Sequence, residues 1–378
     1  MEIYVVKPGD TVDLIGEMYQ AQPQSIIYAN QMTPPYPLAV GQALLIPGGE
    51  EPYEKIPVRI NGYAYPYINS WVLEQTLPYL TELSVFSYGF TPEGELIPPV
   101  LSVDFMIEAA YRHGTLPILT LTPFGADGQF NNYLIHSVVQ SPEAVDNLIL
   151  NLKSVAEEKG YAGVDVDFEY ILAEDRDSFT DFVAKIAQGL HEIGRQVSVA
   201  LAPKQSAGQK GLLYEGKDYG GLGAAADYVL LMTYEWGYTY GPPMAVAPIF
   251  QVRKVLDYAV TEIPTDKIRL GIPNYGYDWK LPFERGVTKA RTIGNVEAVQ
   301  IAIEKNAEIF FDERAMSPYF HYWENGEEHE VWFEDVRSMQ AKFELIKEYG
   351  LNGAGYWQIM RLFRANWLLL DWQFDIIK

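Results

Sequence analysis

The chain has 378 residues, 48% of them apolar, and its 28 Lys and Arg against 50 Asp and Glu give a formal net charge of −22. This charge argues against a nucleic-acid partner, because phosphate binding relies on clustered Lys and Arg, and it excludes electrostatic attraction to anionic polymers. No apolar stretch is long enough to cross a membrane. Without cysteine, the chain has neither a disulfide nor a cysteine nucleophile.

The five histidines show no spacing typical of metal ligands, so we expect no metal site. The length suits one large domain and one small one. Residues 1–4 lead directly into a folded-looking segment, with no basic start and no hydrophobic stretch of the signal-peptide type. We therefore expect a chain that is synthesised in the cytoplasm and has no signal peptide.

The first 48 residues predict a small βααβ unit. Residues 3–6 favour a strand, and Pro-Gly-Asp-Thr at 8–11 predicts a turn and a helix cap. A second helix fits residues 23–30, and Gly-Gln-Ala-Leu-Leu-Ile-Pro at 41–47 predicts the returning strand.

Both ends of this unit resemble a LysM module, a family whose members bind N-acetylglucosamine-containing glycans such as peptidoglycan and chitin. The resemblance rests on Tyr-Val-Val-Lys-Pro-Gly-Asp-Thr at 4–11 and on the 41–47 segment. It assigns residues 2–48 to a glycan-binding domain. The groove that it implies lies between two loops and involves Gly9, Asp10, Thr11, Ala29, Asn30 and Gln31.

A polar linker is expected at 49–55, and residues 56–378 predict an α/β domain. Apolar β-rich runs alternate there with amphipathic stretches, as in repeated parallel βα units. Eight strands and their helices favour a closed (β/α)8 barrel. The candidate strands are 58–65, 83–90, 116–122, 161–169, 196–203, 227–234, 268–274 and 352–358. Residues 280–333, between the seventh and eighth strands, read as an α+β insertion.

Three carboxylates alternate with apolar residues in the fourth candidate strand. Because strand side chains alternate between faces, Asp165, Asp167 and Glu169 share one face. Neighbouring members lie roughly 6–7 Å apart, so their charges disfavour simultaneous ionisation. One carboxyl should therefore hold a proton near neutral pH, as cleavage of a glycosidic bond requires.

The same segment resembles the signature of glycoside hydrolase family 18, Asp-Gly-x-Asp-x-Asp-x-Glu, at the end of the fourth barrel strand. The first Asp of the pattern is Ala162 here. The resemblance implies substrate-assisted cleavage without metal or organic cofactor, in which Glu169 protonates the glycosidic oxygen and the acetamido carbonyl attacks the anomeric carbon. Asp167 would bind the acetamido N–H, and Asp165 would share its proton with Asp167.

The ends of other candidate strands resemble segments of the same family and imply further site residues. Met-Thr-Tyr-Glu at 232–235 implies that Tyr234 binds the acetamido carbonyl and that Glu235, which stands in place of the family's Asp, contacts the substrate. Trp357 would form the floor under the cleaved sugar. Tyr275 and Tyr63 are weaker candidates for contacts in the cleft.

One LysM module, this barrel and the missing signal peptide together resemble the spore-germination group of cortex-lytic N-acetylglucosaminidases. The implied activity is a retaining cleavage of β-1,4 bonds after N-acetylglucosamine in cortex peptidoglycan, by a monomer associated with the spore coat or cortex. A chitinase remains an alternative, since it uses the same apparatus. The rival from another class is a catalytically weak glycan-binding protein.

Overall fold

The computed structural model describes residues 1–49, 54–125 and 127–378. Most of the linker predicted at 49–55 lies outside these described residues. Within them, no helix combines the length and the apolar character needed to cross a bilayer.

The N-terminal unit folds as β1 (Glu2–Val5), α1 (Val12–Tyr19), α2 (Pro23–Ala29) and β2 (Ala43–Ile46). The two strands pair antiparallel, with Glu2 opposite Ile46. Side chains from both helices and both strands, including Val12, Ile15 and Ile26, form a small apolar core of their own. The predicted βααβ order is confirmed.

The rest of the chain is built on a closed barrel of eight parallel strands, since the last strand pairs with the first. These are β3 (Ile56–Ala64), β4 (Glu82–Phe90), β6 (Leu116–Leu121), β7 (Gly163–Val166), β8 (Gln196–Leu201), β9 (Tyr228–Leu231), β10 (Ile268–Pro273) and β16 (Gly353–Trp357). The short strands β5 (Leu96–Ile97) and β17 (Phe374–Ile376) pair with β4 and β3. The predicted barrel is confirmed.

Helices cover the outside of the barrel and connect its strands. They are α3 (Ser70–Thr76), α4 (Asp104–Arg112), α5 (Asn132–Val139), α6 (Pro142–Lys159), α7 (Arg176–His191), α8 (Tyr219–Ala225), α9 (Ile249–Glu262), α11 (Val336–Tyr349) and α12 (Arg364–Gln373). Short 3₁₀ turns occur at Leu77–Tyr79, Ala173–Asp175 and Thr265–Lys267.

An α+β insertion separates β10 from α11. It contains β11 (Gly276–Lys280), β12 (Arg291–Ile293), α10 (Asn295–Glu304), β13 (Phe310–Asp312), β14 (Ser317–Glu324) and β15 (Glu327–Trp332). The strands form one antiparallel sheet in the order β12-β11-β15-β14-β13. The insertion therefore begins at the carboxyl end of a barrel strand, beside the mouth where sites of this fold lie.

The N-terminal unit packs directly against the barrel and the insertion. The backbone N–H of Ile309 donates a hydrogen bond to the carbonyl oxygen of Val40 at 2.9 Å. The guanidinium of Arg337 donates to the carbonyl oxygen of Gly41 at 3.2 Å. Leu45, which is fully buried, belongs to the apolar core of the barrel. These contacts fix the small unit on the large one.

A buried ion pair fills the lower part of the barrel. Arg269 on β10 binds Glu82 on β4, and both side chains are almost completely buried. Glu82 also accepts hydrogen bonds from Gln196 at 2.9 Å and from the Tyr228 hydroxyl at 3.1 Å. Because the carboxylate has several donors, its burial is compensated.

Candidate active site

Asp165 is completely buried inside the barrel and accepts two short hydrogen bonds. The Tyr63 hydroxyl on β3 donates to its Oδ2 atom at 2.7 Å, and the Ser198 hydroxyl on β8 donates to its Oδ1 atom at 2.6 Å. Burial raises the pKa of Asp165, whereas the two hydroxyl donors lower it. The first acid of the row is thus held in place by the neighbouring strand β8 and by β3, which is not adjacent to β7 in the sheet.

Asp167 is also buried, but one of its carboxylate oxygens has no partner. Its backbone N–H donates to the carbonyl oxygen of Leu121 at 2.9 Å, so it continues the line of β7. Its Oδ1 atom makes no hydrogen bond within the described residues. Burial and the nearby charges of Glu169 and Asp165 raise the pKa of Asp167 well above its usual value.

Glu169 lies at the mouth of the barrel and is half-buried. Burial raises its pKa, and the positive charge of Lys217 lowers it. Glu169 lines one pocket together with Tyr234 and Glu235; the other lining residues are Ala202, Pro203, Leu213, Tyr214, Met232 and Trp236. A carboxyl with a raised pKa at the edge of a pocket is suited to donate a proton there.

The predicted strand 161–169 is shorter in the structure, where β7 ends at Val166. The Phe168 carbonyl accepts its hydrogen bond from the Lys217 ammonium instead of from a neighbouring strand. The alternation of faces nevertheless continues. The Phe168 ring packs outside the barrel against Phe90, Phe179 and Phe182, at centroid distances of 5.4, 5.8 and 5.5 Å.

Tyr234 and Glu235 follow β9 and face the same pocket. Burial is the main reason that the pKa of Tyr234 lies well above its usual value, so its hydroxyl stays protonated and can donate a hydrogen bond. Glu235 accepts hydrogen bonds from the hydroxyls of Tyr275 and Tyr277, the latter at 2.8 Å. Its backbone φ of 70° lies in the left-handed region, which turns the chain sharply at this point.

Trp357 ends β16 at the mouth and sits in a cluster of aromatic rings. Its ring centroid lies 5.6 Å from that of Tyr63, 6.0 Å from Tyr65 and 5.0 Å from Phe86. The rings hold the indole in a fixed position. The eight residues that sequence reasoning placed at the mouth are therefore gathered around one end of the barrel, and their roles in catalysis and binding stay predictions.

The residues expected to bind glycan in the N-terminal unit are largely engaged within the protein. Asp10 accepts hydrogen bonds from the Tyr4 hydroxyl and the Lys7 N–H, both at 2.7 Å. Thr11, two residues after Gly9, caps α1. Asn30 exchanges two hydrogen bonds of 2.8 Å with the backbone of Leu45.

On the other side of that expected groove, Ala29 is fully buried. The side-chain oxygen of Gln31 accepts a hydrogen bond from the backbone N–H of Arg364 at 2.7 Å. Glycan binding by these six residues stays a prediction.

Sequence reasoning missed three residues near the acids. Ser198 lies directly opposite Asp165 in the strand register. In the sequence, the only indication that Ser198 belongs to the site was a polar residue inside the neighbouring predicted strand. Tyr277 belongs to the insertion, whose placement depends on long-range packing. Lys217 lies in a loop after β8, and nothing in its local sequence indicates that it reaches Phe168.

The site combines a half-buried carboxyl at the mouth with a buried carboxylate oxygen that has no partner among the described residues. No group of three or more potential metal ligands occurs in the part of the chain that the structure describes. Carboxyl and hydroxyl side chains of this kind can transfer protons and form hydrogen bonds.

Comparisons with known proteins identify the families of both parts of the chain. The family model of glycosyl hydrolases family 18 matches residues 121–361, and the model of the LysM domain matches residues 4–47. The cortical fragment-lytic enzyme of Bacillus subtilis is 36% identical, over 100% of this chain and 99% of its own. The enzyme of that name from Bacillus anthracis is 37% identical over the same shares.

Solved structures give the same family. The spore cortex-lytic enzyme SleL of Bacillus cereus superposes with a TM-score of 0.83 at 36% identity, covering 100% of this chain and 87% of that one. A chitinase from Chromobacterium violaceum has a TM-score of 0.77 at 26% identity, covering 84% and 98%. The chain therefore belongs to glycosyl hydrolase family 18 and is a glycosidase with an N-terminal LysM domain.

Proposed function

We propose that this glycosidase cleaves β-1,4 bonds after N-acetylglucosamine in the peptidoglycan of the spore cortex or in its fragments, with retention of configuration. The cortical fragment-lytic enzymes, similar over the whole chain, support the choice of glycan. They also support action at the spore cortex.

The observation that carries the mechanism is the unpartnered Oδ1 atom of Asp167. A buried acceptor without a partner costs about 1–3 kcal/mol, and an acetamido N–H would supply the missing donor. The Tyr234 hydroxyl would donate to the acetamido carbonyl and orient it toward the anomeric carbon. Such substrate-assisted cleavage is a known exception to the scheme with two catalytic carboxylates.

Glu169 performs the proton transfers in this scheme. Burial raises its pKa, which favours the protonated form, and it donates a proton to the glycosidic oxygen as that bond breaks. The acetamido oxygen forms the new bond to the anomeric carbon, and Asp167 stabilises the positive oxazolinium ion. Glu169 then takes a proton from the incoming water, which attacks the anomeric carbon and restores the acetamido group.

The test compares defined muropeptides with chitooligosaccharides of equal length and identifies the products by mass spectrometry. We expect faster cleavage of the muropeptides, release of N-acetylglucosamine at the new reducing end, and the β-anomer as the first product in proton NMR. A thiazoline analogue of N-acetylglucosamine should inhibit. Rapid turnover of a substrate with glucosamine at the cleaved position would contradict assistance by the acetamido group.

A chitinase is the second candidate, favoured by the structural match to the Chromobacterium violaceum chitinase. The same product analysis separates the two candidates. Preference for chitooligosaccharides over muropeptides of equal length would select the chitinase.

A further inference from the structure

The segment that carries Glu169 lies beyond the end of its strand. β7 ends at Val166, and residues 167–172 belong to neither a helix nor a strand. The chain then forms the 3₁₀ turn Ala173–Asp175 and continues directly into α7. Proton transfer requires a carboxyl in a defined position, so the contacts that hold this segment bear on the reaction.

Asp175 anchors the far end of this segment and is completely buried. It stands at the cap position of α7, yet its side chain makes no capping hydrogen bond. Both of its carboxylate oxygens lie instead 2.9 Å from Nδ1 of His136, and Oδ1 also accepts a hydrogen bond from Nε2 of Gln140 at 2.9 Å. His136 lies on α5, and Gln140 follows the last residue of that helix. One buried carboxylate therefore joins α5 to the start of α7.

The imidazole of His136 contacts both oxygens of this carboxylate. A carboxylate only accepts hydrogen bonds, so Nδ1 of the imidazole carries the proton that it donates. Glu174 lies 3.9 Å from the same Nδ1 atom, but its side chain is 72% exposed, so water screens that pair. Loss of the imidazole would leave Asp175 with one side-chain donor among the described residues, the Gln140 amide. A buried carboxylate with too few donors is costly, so the segment would shift.

Two further contacts hold the chain close to Glu169 itself. The Tyr170 ring meets the Phe130 ring, just before α5, edge to face at a centroid distance of 5.8 Å. On the other side, the Lys217 ammonium donates to the carbonyl oxygen of Phe168. Glu169 therefore lies on a short segment that is fixed before and after it, and α5 provides the later attachment.

We propose that His136 is a positioning residue for Glu169, because its hydrogen bond to Asp175 fixes the segment that determines where the Glu169 carboxyl meets the glycosidic oxygen. This inference rests on the proposed function, in which Glu169 is the proton donor. The structure describes all of α5, and none of its residues lines the pocket that holds Glu169. The helix thus supports the reaction from outside the pocket.

The test compares two substrates that differ in their need for a proton. A defined muropeptide has a sugar as its leaving group, which must be protonated as the bond breaks. The dinitrophenyl glycoside of di-N-acetylchitobiose releases a stable phenolate that needs no proton. His136→Leu should lower kcat/KM for the muropeptide at least about tenfold, since a misplacement of about 1 Å can cost about 10²-fold in rate. For the dinitrophenyl glycoside, kcat/KM should change little.

Two further variants separate a loss of positioning from general damage. His136→Asn places an amide N–H near the position of Nδ1 and should restore most of the activity on the muropeptide. His191→Leu is the matched control, because His191 is also half-exposed and also lies 2.9 Å from a carboxylate, that of Asp227. Asp227 directly precedes β9, at the end of the barrel opposite the mouth. His191→Leu should therefore leave kcat/KM unchanged for both substrates.

Hydrogen exchange gives a second readout, which does not depend on activity. In His136→Leu, the amides of residues 169–174 should exchange at least about tenfold faster than in the wild type, because a hydrogen bond to a buried charge is lost. In His191→Leu, the exchange of these amides should not change.

Equal losses for both substrates in His136→Leu, no loss for the muropeptide, or unchanged exchange would overturn the proposal. Glu169→Gln is measured with the same two substrates. If it lowers kcat/KM equally for both, Glu169 is not the proton donor, and the proposed function fails together with this inference. If Glu169→Gln spares the dinitrophenyl glycoside but His136→Leu affects both substrates equally, the proposed function stands and only this inference fails.

Discussion

The ammonium group of Lys217 donates a hydrogen bond to the carbonyl oxygen of Phe168, the residue between Asp167 and Glu169. Lys217 is completely buried, and no ion pair links it to a carboxylate in the described part of the chain. Burial lowers its pKa to about 8, while the charges of Asp167 and Glu169 raise it. One lysine therefore both holds the backbone of the acid row and places a positive charge beside it.

Replacing Lys217 by Met should shift the pH profile of kcat upward by about one unit, since a nearby opposite charge changes a carboxyl pKa by about 1–3 units. The positive charge lowers the pKa values of Asp167 and Glu169. Its loss raises both, so Glu169 stays protonated to higher pH. In the wild type, Lys217 loses its positive charge as the pH rises past about 8, and it then no longer lowers the pKa values of the two acids.

Lys217→Arg keeps the charge and should retain most of the wild-type profile. Lys204→Met is the control. It also removes a buried positive charge, but Asp167 and Glu169 are not among the charges that act on Lys204, so the profile should not shift. An unshifted profile in a folded Lys217→Met variant would show that the charge does not act on the acids.

Glu169→Gln should lower kcat by at least about a hundredfold, because general acid catalysis contributes about 10²–10⁴ in rate. Binding of a glycan should change little, since the amide has nearly the same shape. Hydrolysis of a soluble oligosaccharide and calorimetric binding measure the two effects. Glu174→Gln, the same change at an exposed glutamate, is the matched control. Most of the activity remaining in Glu169→Gln would refute the assignment.

Tyr63→Phe removes the hydroxyl that donates to Asp165 at 2.7 Å. The pKa of Asp165 should rise, because that hydrogen bond favours its ionised form. We expect kcat to fall about tenfold, the effect of about 1.4 kcal/mol on the barrier, with KM nearly unchanged. Ser198→Ala, which removes the other donor, should act in the same direction. Unchanged kcat in both variants would show that Asp165 takes no part in the reaction.

Gly41→Ala should weaken the packing between the domains. Its φ of +83° is unfavourable for alanine, and the new methyl group would lie 1.8 Å from the carbonyl oxygen of Ile309. Gly9→Ala is a matched control, because Gly9 has a φ of +88° and no atom within 4 Å of a new methyl group. Both variants lose about 1 kcal/mol to strain, so only the additional loss of thermal stability in Gly41→Ala measures the contact. Equal losses would show that the interface adapts.

A chain that begins at residue 54 should still hydrolyse short soluble oligosaccharides, since the mouth of the barrel retains every proposed catalytic group. It should unfold at lower temperature, because removal of the LysM domain uncovers apolar surface that Leu45 now covers. It should also pellet less with insoluble cortex material, as tethering raises the local concentration of the enzyme. Equal pelleting of both forms would show that the LysM domain is not the anchor.

The local pattern of the sequence predicted the strands and the row of acids, because alternation of side chains depends only on neighbouring residues. Strand β8 begins at Gln196 as predicted and ends two residues early, at Leu201. Lys217 and the contact between Gly41 and Ile309 could not be predicted. Both join segments far apart in the chain, and their positions depend on how the loops and domains pack.

The ion pair of Arg269 and Glu82 closes the barrel below Asp165, and the Tyr228 ring lies 3.4 Å from the guanidinium. Because this ion pair closes the lower end, water reaches the acids from the upper end of the barrel. In the proposed mechanism, the water that returns a proton to Glu169 therefore has to enter at the mouth. The glycan and this water share that entrance, so the leaving part of the glycan has to move away before the water can reach Glu169.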